Sequence, residues 1–365
     1  MLTNFNPMPS AVSPAILAAL ARPQPGSLVE FTSQLKPKIT SVLFPDAIAL
    51  ELFSCGRAGL YELAISSFAQ KEALFCINGP LSQQWYDLAK SFDIETDIIE
   101  NSYGKVFTVS QLEKKLTEQR YDAVFLVEVD PFTGAYTDIA ELAAYIRKTA
   151  PDMLIVTDCS ASITNVRPLK VGTETDILLS ASDISLGLPP GEHGLLKTLA
   201  APGKGWYFNF AKQHLSNADS VFEDVPYPLL YALDKKLDEI FLEGLDEKIA
   251  RTNHLAQVFR TWTEEKDFSI LTDKENQAPN FTILQCLPQF TPHDLTEFLK
   301  SYDITIGLCP GEMKETFFSI AHMNATTEKD ISHFFYAFNQ FLAYYDTRNQ
   351  LAKASIFRSI TKKEE

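Results

Sequence analysis

Residues 152–191, DMLIVTDCSASITNVRPLKVGTETDILLSASDISLGLPPG, constrain the fold more than any other part of the chain. An apolar run, Met153 to Val156, ends in Thr157-Asp158. A second, Ile177 to Leu179, ends in Ser180-Ala181-Ser182, and a Pro189-Pro190-Gly191 turn follows. Short continuous apolar runs suit strands buried on both faces, as in a parallel sheet. Polar residues at their C-terminal ends place a candidate site at the sheet's carboxyl edge.

The pattern recurs upstream. Residues 50–52 precede Cys55-Gly56-Arg57-Ala58-Gly59 and a helical spacing of Leu60, Leu63, Ala64 and Phe68. Residues 73–77 predict a strand, followed by Asn78-Gly79-Pro80 and a helix, and residues 94–99 and 123–129 continue the series. Asp138 with Glu141 opens a helix whose Ile139, Leu142, Ala143 and Ile146 share one face. Strand, loop and helix in repetition imply an α/β fold with a mostly parallel sheet covered on both sides.

After Gly191 the order changes. Residues 193–199 and 206–210 predict strands around Pro202-Gly203-Lys204-Gly205, and one long helical stretch is predicted over 227–263. Strands at 268–271, 280–286, 304–308 and 316–320 then mix with helices at 292–301 and 327–345, the last opened by a Thr327/Asp330 capping box. The expected organisation is an N-terminal arm over 1–25, a large α/β domain over 26–245, a small C-terminal α+β domain over 246–347, and a polar tail over 348–365.

Length and composition bound the function. The 365 residues, 45% hydrophobic, suffice for a large core and a smaller second domain. The formal net charge of -15 repels phosphate backbones and anionic lipid, so neither nucleic acid nor a membrane surface is an expected partner. The five cysteines (Cys55, Cys76, Cys159, Cys286 and Cys309) are scattered without CxxC pairs and fit reduced core thiols of a cytoplasmic protein. The start, MLTNFNPMPS, has no basic n-region, and no apolar run approaches the roughly 18 residues that span a bilayer. The six histidines show no metal-ligand spacing, so no metal is assigned.

The arrangement from Asp158 to Pro189-Pro190-Gly191 resembles the class V aminotransferases of the pyridoxal phosphate (PLP) fold type I superfamily, especially the serine-pyruvate and alanine-glyoxylate branch. That resemblance implies a mostly parallel large-domain sheet flanked by helices, a small α+β domain, a homodimer and an N-terminal arm that crosses to the partner subunit. It also implies a role for particular positions. Asp158 matches the Asp that pairs with the pyridinium nitrogen. The family's Ser-Gln-Lys, whose Lys forms the Schiff base, falls on Ser182-Asp183-Ile184, counted from Asp176 or back from Pro189. An isoleucine has no amine for that chemistry.

Other matched positions depart in the same direction. The family's phosphate-binding Ser-Gly-Thr-Gly turn falls on Cys55-Gly56-Arg57-Ala58, which keeps Gly56 and adds Arg57 but loses the small hydroxyls. The ring-stacking aromatic falls on Leu81, and Thr133-Gly134 follows the strand ending at Asp130. The partner subunit's phosphate-contacting Tyr and Thr fall within 221–225, where Glu223 and Asp224 would oppose a phosphate. The Arg that grips the substrate carboxylate falls on Ser319, and the N-terminal Gly-Pro-Gly-Pro stretch becomes Asn4-Phe5-Asn6-Pro7, with Asn6 a candidate substrate contact.

Three readings follow. The first is a non-transaminating homodimer whose cleft binds a small-molecule ligand or a protein, with no covalent cofactor. Arg57, Asp158, Asp183, Glu223 and Asp224 would make that cleft selective for cationic or mixed-charge ligands. The second is an active aminotransferase on a small amino acid and 2-oxo acid, carrying PLP on a displaced lysine such as Lys197; Lys204 is a further lysine nearby. The third is thiol chemistry at Cys159 with His193, against which stands the common inertness of buried cysteines.

Overall fold

The computed structural model describes residues 2–44, 50–69, 71–92, 94–189, 194–196 and 226–361, with side chains as far as 345 and none at 194–196. In chain order the elements are β1 (Thr3–Phe5), α1 (Pro14–Leu20), α2 (Leu28–Leu43), β2 (Glu51–Phe53), α3 (Arg57–Phe68), β3 (Glu72–Ile77), α4 (Pro80–Ala89), β4 (Glu95–Glu100), α5 (Val109–Glu118) and β5 (Ala123–Val127). There follow α6 (Ile139–Thr149), β6 (Leu154–Asp158), β7 (Ile177–Leu179), β8 (Gly194–Leu196), α7 (Tyr227–Glu243), α8 (Leu245–Glu265), β9 (Phe281–Gln285), α9 (Pro292–Leu299), β10 (Ile304–Leu308), β11 (Phe317–Ala321) and α10 (Glu328–Thr361).

Five strands form an all-parallel sheet in the order β4-β3-β5-β6-β7. Residues along β5 alternate between two apolar layers: Val124 and Leu126 pack towards α2, α6 and α7, while Ala123, Phe125 and Val127 pack towards α3 and α4. Both faces of β5 are therefore dry, which is why it reads as an unbroken apolar run. The register pairs Val127 with Asp158 and Asp158 with Leu179, so the polar ends of β5, β6 and β7 meet at one edge. Local chemistry fixes the helix that follows β5: the Asp138 carboxylate accepts the amides of Ala140 and Glu141, satisfying two orphan donors of α6.

A second sheet, β1-β10-β11-β9, carries the C-terminal part. Its core is aromatic: Phe259 and Trp262 of α8 meet Phe334 and Phe338 of α10. Burying each such ring contributes roughly 1.5–3 kcal/mol, and truncating Phe338 to Ala would cost about 3–5 kcal/mol. The Thr327/Asp330 capping box forms as the sequence predicts.

Residues 3–5 pair in parallel with β10 of the chain's own small sheet, and α1 packs along α7, with Ser13 Oγ 3.2 Å from Glu239 Oε1. Several expectations are corrected. The long helix over 227–263 is two helices, because Gly244 sits at φ 87°, where a residue with a Cβ is strained. Residues 268–271 contribute only an isolated bridge, Ile270 to Leu284, rather than a strand. Helix α10 runs on to Thr361, through the segment expected as a polar tail. Of the strands expected over 193–199 and 206–210, only β8 falls among the described residues, antiparallel to β2.

Candidate active site

Asp158 ends β6 at the carboxyl edge and is 1% exposed. Its Oδ1 accepts the Ser160 amide at 2.7 Å, and its Oδ2 accepts the Tyr61 hydroxyl at 2.5 Å. Tyr61 stands one turn into α3, and its ring stacks on Trp85 of α4 with centroids 4.4 Å apart and planes 7° from parallel. Burial, then the Asp158 charge, pushes the Tyr61 phenol far above its ordinary range, so it stays a donor.

Helix α3 begins at the turn the sequence singles out. Gly56 is its N-cap and makes no side-chain cap. Arg57 turns inward: its Nη2 meets Met8 Sδ at 2.8 Å, and its Nη1 lies 3.8 Å from Asp183 Oδ1. Its Nε and Nη1 and the Asp183 Oδ1 are buried without a hydrogen-bond partner. Burial raises the Asp183 carboxyl, and the Arg57 charge opposes that shift. Arg57 thus links the first turn of α3, the N-terminal segment and the loop after β7.

That loop is tightly held. Ile184 is fully buried, in an apolar cluster with Val129, Ala161 and Met323. Its carbonyl accepts Ser10 Oγ at 2.8 Å and Asn324 Nδ2 at 2.9 Å. Ser182 is buried, and its carbonyl accepts the Leu188 amide. Gly187 closes the turn at φ 63°, where an added Cβ would lie 2.9 Å from Asn324 Cγ. Ile184 is therefore embedded in packing on every side.

Leu81 is buried, and it is its backbone that matters: its amide donates to Asp130 Oδ2 at 2.9 Å. Asp130 Oδ1 accepts the amides of Phe132 and Thr133. Burial carries the Asp130 carboxyl up to about 6 against the pull of those three amides and of Arg57. Gly79 is required here by close approach, since a Cβ would fall 2.3 Å from Asp130 Oδ2. Thr133 is fully buried; its Oγ1 accepts the Ala135 amide and its carbonyl accepts Thr272 Oγ1, tying this loop to the small domain.

Ser319 on β11 is fully buried and donates to the Pro131 carbonyl at 3.1 Å, so the small domain rests on the large one at this point. The half-buried Asn6 follows β1, its amide bonded to Asn4 Oδ1. The next residue, Pro7, lies against Gly307, whose added Cβ would come within 2.4 Å of it and 3.1 Å of Ser319 Cβ. The structure thus brings the Asn6 segment and Ser319 together.

Cys159 donates its thiol to the Leu179 carbonyl, and burial pushes that thiol well up, which leaves it unreactive. Lys197, Lys204, His193, Pro190, Gly191, Glu223 and Asp224 lie outside the described residues. Among the described residues no three His, Cys, Asp or Glu side chains are grouped to hold a metal, and no helix is long and apolar enough to cross a membrane. The sequence reading missed Tyr61, Trp85 and the anchoring role of Asp130. The only signal for Tyr61 was its place four residues after Arg57, on the same face of α3.

No protein-family model matches the chain. Alanine–glyoxylate aminotransferase 1 of Saccharomyces cerevisiae is 24% identical over 357 residues, covering 88% of this chain and 91% of its own length. Serine–glyoxylate aminotransferase of Arabidopsis thaliana is 24% identical over 360 residues, covering 89% and 86%. Among solved structures, alanine–glyoxylate aminotransferase from Nostoc sp. superposes with a TM-score of 0.86 at 19% identity, over 93% of this chain and 95% of that one. Pyridoxamine–pyruvate aminotransferase from Mesorhizobium loti gives 0.86 at 16% identity, over 94% and 92%. The chain has the PLP fold type I architecture of the class V aminotransferases, and its homologues are the alanine– and serine–glyoxylate aminotransferases.

Proposed function

We propose that the chain is a class V aminotransferase-like protein that does not transaminate, and that it acts as a homodimer binding a small molecule or a protein at the cleft. The observation that carries this reading is how the residues at the expected cofactor positions are engaged within the chain, Arg57 only in part. Tyr61 holds Asp158 Oδ2, where the resemblance places the ring nitrogen. Arg57 reaches from the first turn of α3, the expected phosphate site, to Met8 and Asp183. Ile184, at the lysine position, offers only an apolar side chain within a packed cluster. This chemistry supports a site that holds no Schiff-base cofactor.

What remains polar and unsatisfied is mixed in charge: Arg57 Nε and Nη1 beside Asp183 Oδ1. That pairing favours a ligand with both signs, or a cation, over a phosphate. Exposed Phe241 and Leu242 of α7, with Leu17 of α1, support a second copy as the partner of this surface. The five cysteines, all free, suit a reducing, cytoplasmic setting.

The names of the homologues favour a second reading, an active aminotransferase for a small amino acid and 2-oxo acid using a displaced lysine such as Lys197. Visible absorbance of the purified protein with added PLP, before and after borohydride, separates the two readings. No retained chromophore is expected; a stoichiometric reduced adduct mapped to Lys197 overturns the first reading in favour of the second.

A further inference from the structure

A second polar site lies across the large sheet from Asp158 and Tyr61. Glu128 follows β5, and its backbone is fixed from both sides: its amide donates to the Asp158 carbonyl, and its carbonyl accepts the Thr137 amide. Val127 packs towards α3 and α4, while the Glu128 side chain lines a cavity of about 20 Å³ shared with Cys159, Thr164, Arg167 and, from α2, Leu43. Glu128 is 2% exposed; its Oε2 accepts Ser162 Oγ, and its Oε1 has no partner. Thr164, also 2% exposed, leaves its Oγ1 without a partner on the same cavity and is held at φ 71°, an uncommon conformation for a β-branched residue.

Size and charge together select the guest. One water-sized molecule needs about 10–15 Å³ of such space, so the cavity takes one small guest and excludes an organic ligand. The ionisable neighbours acting on Glu128 are Arg167, Glu174 and Asp138, and with Glu128 ionised the acids outnumber the base. Tyr136 and Cys159 also sense its charge, and Lys248 of α8 binds the Thr164 carbonyl on the far side of the loop. A divalent ion holds its hydration shell too tightly to shed it for one carboxylate and one hydroxyl, which a weakly hydrated monovalent ion does more readily. We propose that Glu128 and Thr164 form a binding site for a water-sized monovalent cation, ammonium or potassium, held by the Glu128 carboxylate and the Thr164 hydroxyl.

A proton competes for the same carboxylate. Burial raises the Glu128 carboxyl to about 8, so the cation displaces a proton near neutral pH and binds more strongly above it. The test is thermal unfolding of the full chain in about 100 mM potassium, ammonium or choline chloride, at about pH 6.5 and about pH 8.5. Choline matches the ionic strength but is too large to enter. Potassium or ammonium is expected to raise the midpoint by about 2 °C over choline at the higher pH and by less at the lower, the shift expected for a ligand at about ten times its dissociation constant. Glu128→Gln and Thr164→Val are each expected to abolish the difference, and the better of the two salts identifies the ion. Equal midpoints in all three salts at the higher pH mean that the cavity holds water alone and overturn the proposal, as does an ion effect that survives in Glu128→Gln. Should both variants fail to fold, proton release decides with the unaltered protein: either ion added near pH 7.5 in weak buffer must release protons up to one per chain, and none released overturns the site.

Discussion

Lys248 offers a direct test of how burial governs charge in this chain. It lies on α8, is 2% exposed, and donates through Nζ to the Thr164 carbonyl and to Asn165 Oδ1, both at 3.2 Å. Burial lowers its ammonium from 10.5 to about 7; Lys236 and Arg251 push the same way and Glu243 opposes them. Between pH 7 and 10.5 the unfolded chain therefore carries a proton on Lys248 that the folded chain lacks. Stability from this group rises with pH across that window, and the whole cost of the buried charge is present below it. At about 1.4 kcal/mol per pH unit, the part recovered between pH 7 and pH 9 is about 2 kcal/mol, because the titration is only half complete at the lower limit. Lys248→Met keeps most of the apolar stem and removes the titration. It also deprives the Thr164 carbonyl of a donor, a loss of about 1–3 kcal/mol that does not depend on pH. Urea unfolding of both proteins at pH 7, 8 and 9 isolates the effect, since every titrating group they share cancels in the difference. The unaltered protein should gain on the variant by about 2 kcal/mol from pH 7 to 9. A difference that stays flat would refute the reasoning, because it would mean that Lys248 stays charged when folded.

Tyr61→Phe leaves the Trp85 stack in place and removes the donor to Asp158; a loss of about 1–3 kcal/mol in unfolding free energy is expected, with near-ultraviolet dichroism unchanged. Ile184→Lys puts an amine at the position the resemblance assigns to the Schiff base, but within an apolar cluster. It should lower stability by about 2–7 kcal/mol and bring no visible absorbance with PLP, and a bound chromophore would count against the filled-site reading. Phe241→Glu with Leu242→Glu should convert a dimer to monomers in sedimentation velocity, because both side chains are largely exposed on α7; an unchanged sedimentation coefficient places the dimer surface elsewhere.

The fold was legible where the chain's chemistry is local. The apolar runs ending in Thr157-Asp158 and Ser180-Ala181-Ser182 announced buried parallel strands, and the Thr327/Asp330 box announced α10. Elements set by one backbone angle or by distant partners were not. Gly244 reads as a tolerable glycine inside a helix until its φ of 87° is known. Tyr61 reads as one more apolar residue on α3, because its hydroxyl finds Asp158 97 positions later. Leu81 was singled out for its side chain, whereas its amide holds Asp130. Ile184 was legible as an absent amine, but not as a packed one, since its neighbours Val129, Ala161 and Met323 come from three separate loops and strand ends.

The pairing of Thr3 with Ile304 bears on the order in which the protein is made. Strand β1 is synthesised about three hundred residues before its partner β10. At a synthesis rate of roughly 5–20 residues per second, the first strand waits at least about fifteen seconds for its place. Throughout that interval it is an unpaired segment, and once β10 has formed with β11 and β9, an absent β1 leaves β10 as an open edge able to pair with another chain. Strand β1 therefore acts as an edge guard for the small sheet, and a change that delays its docking should show itself as aggregation during synthesis rather than as a less stable folded protein.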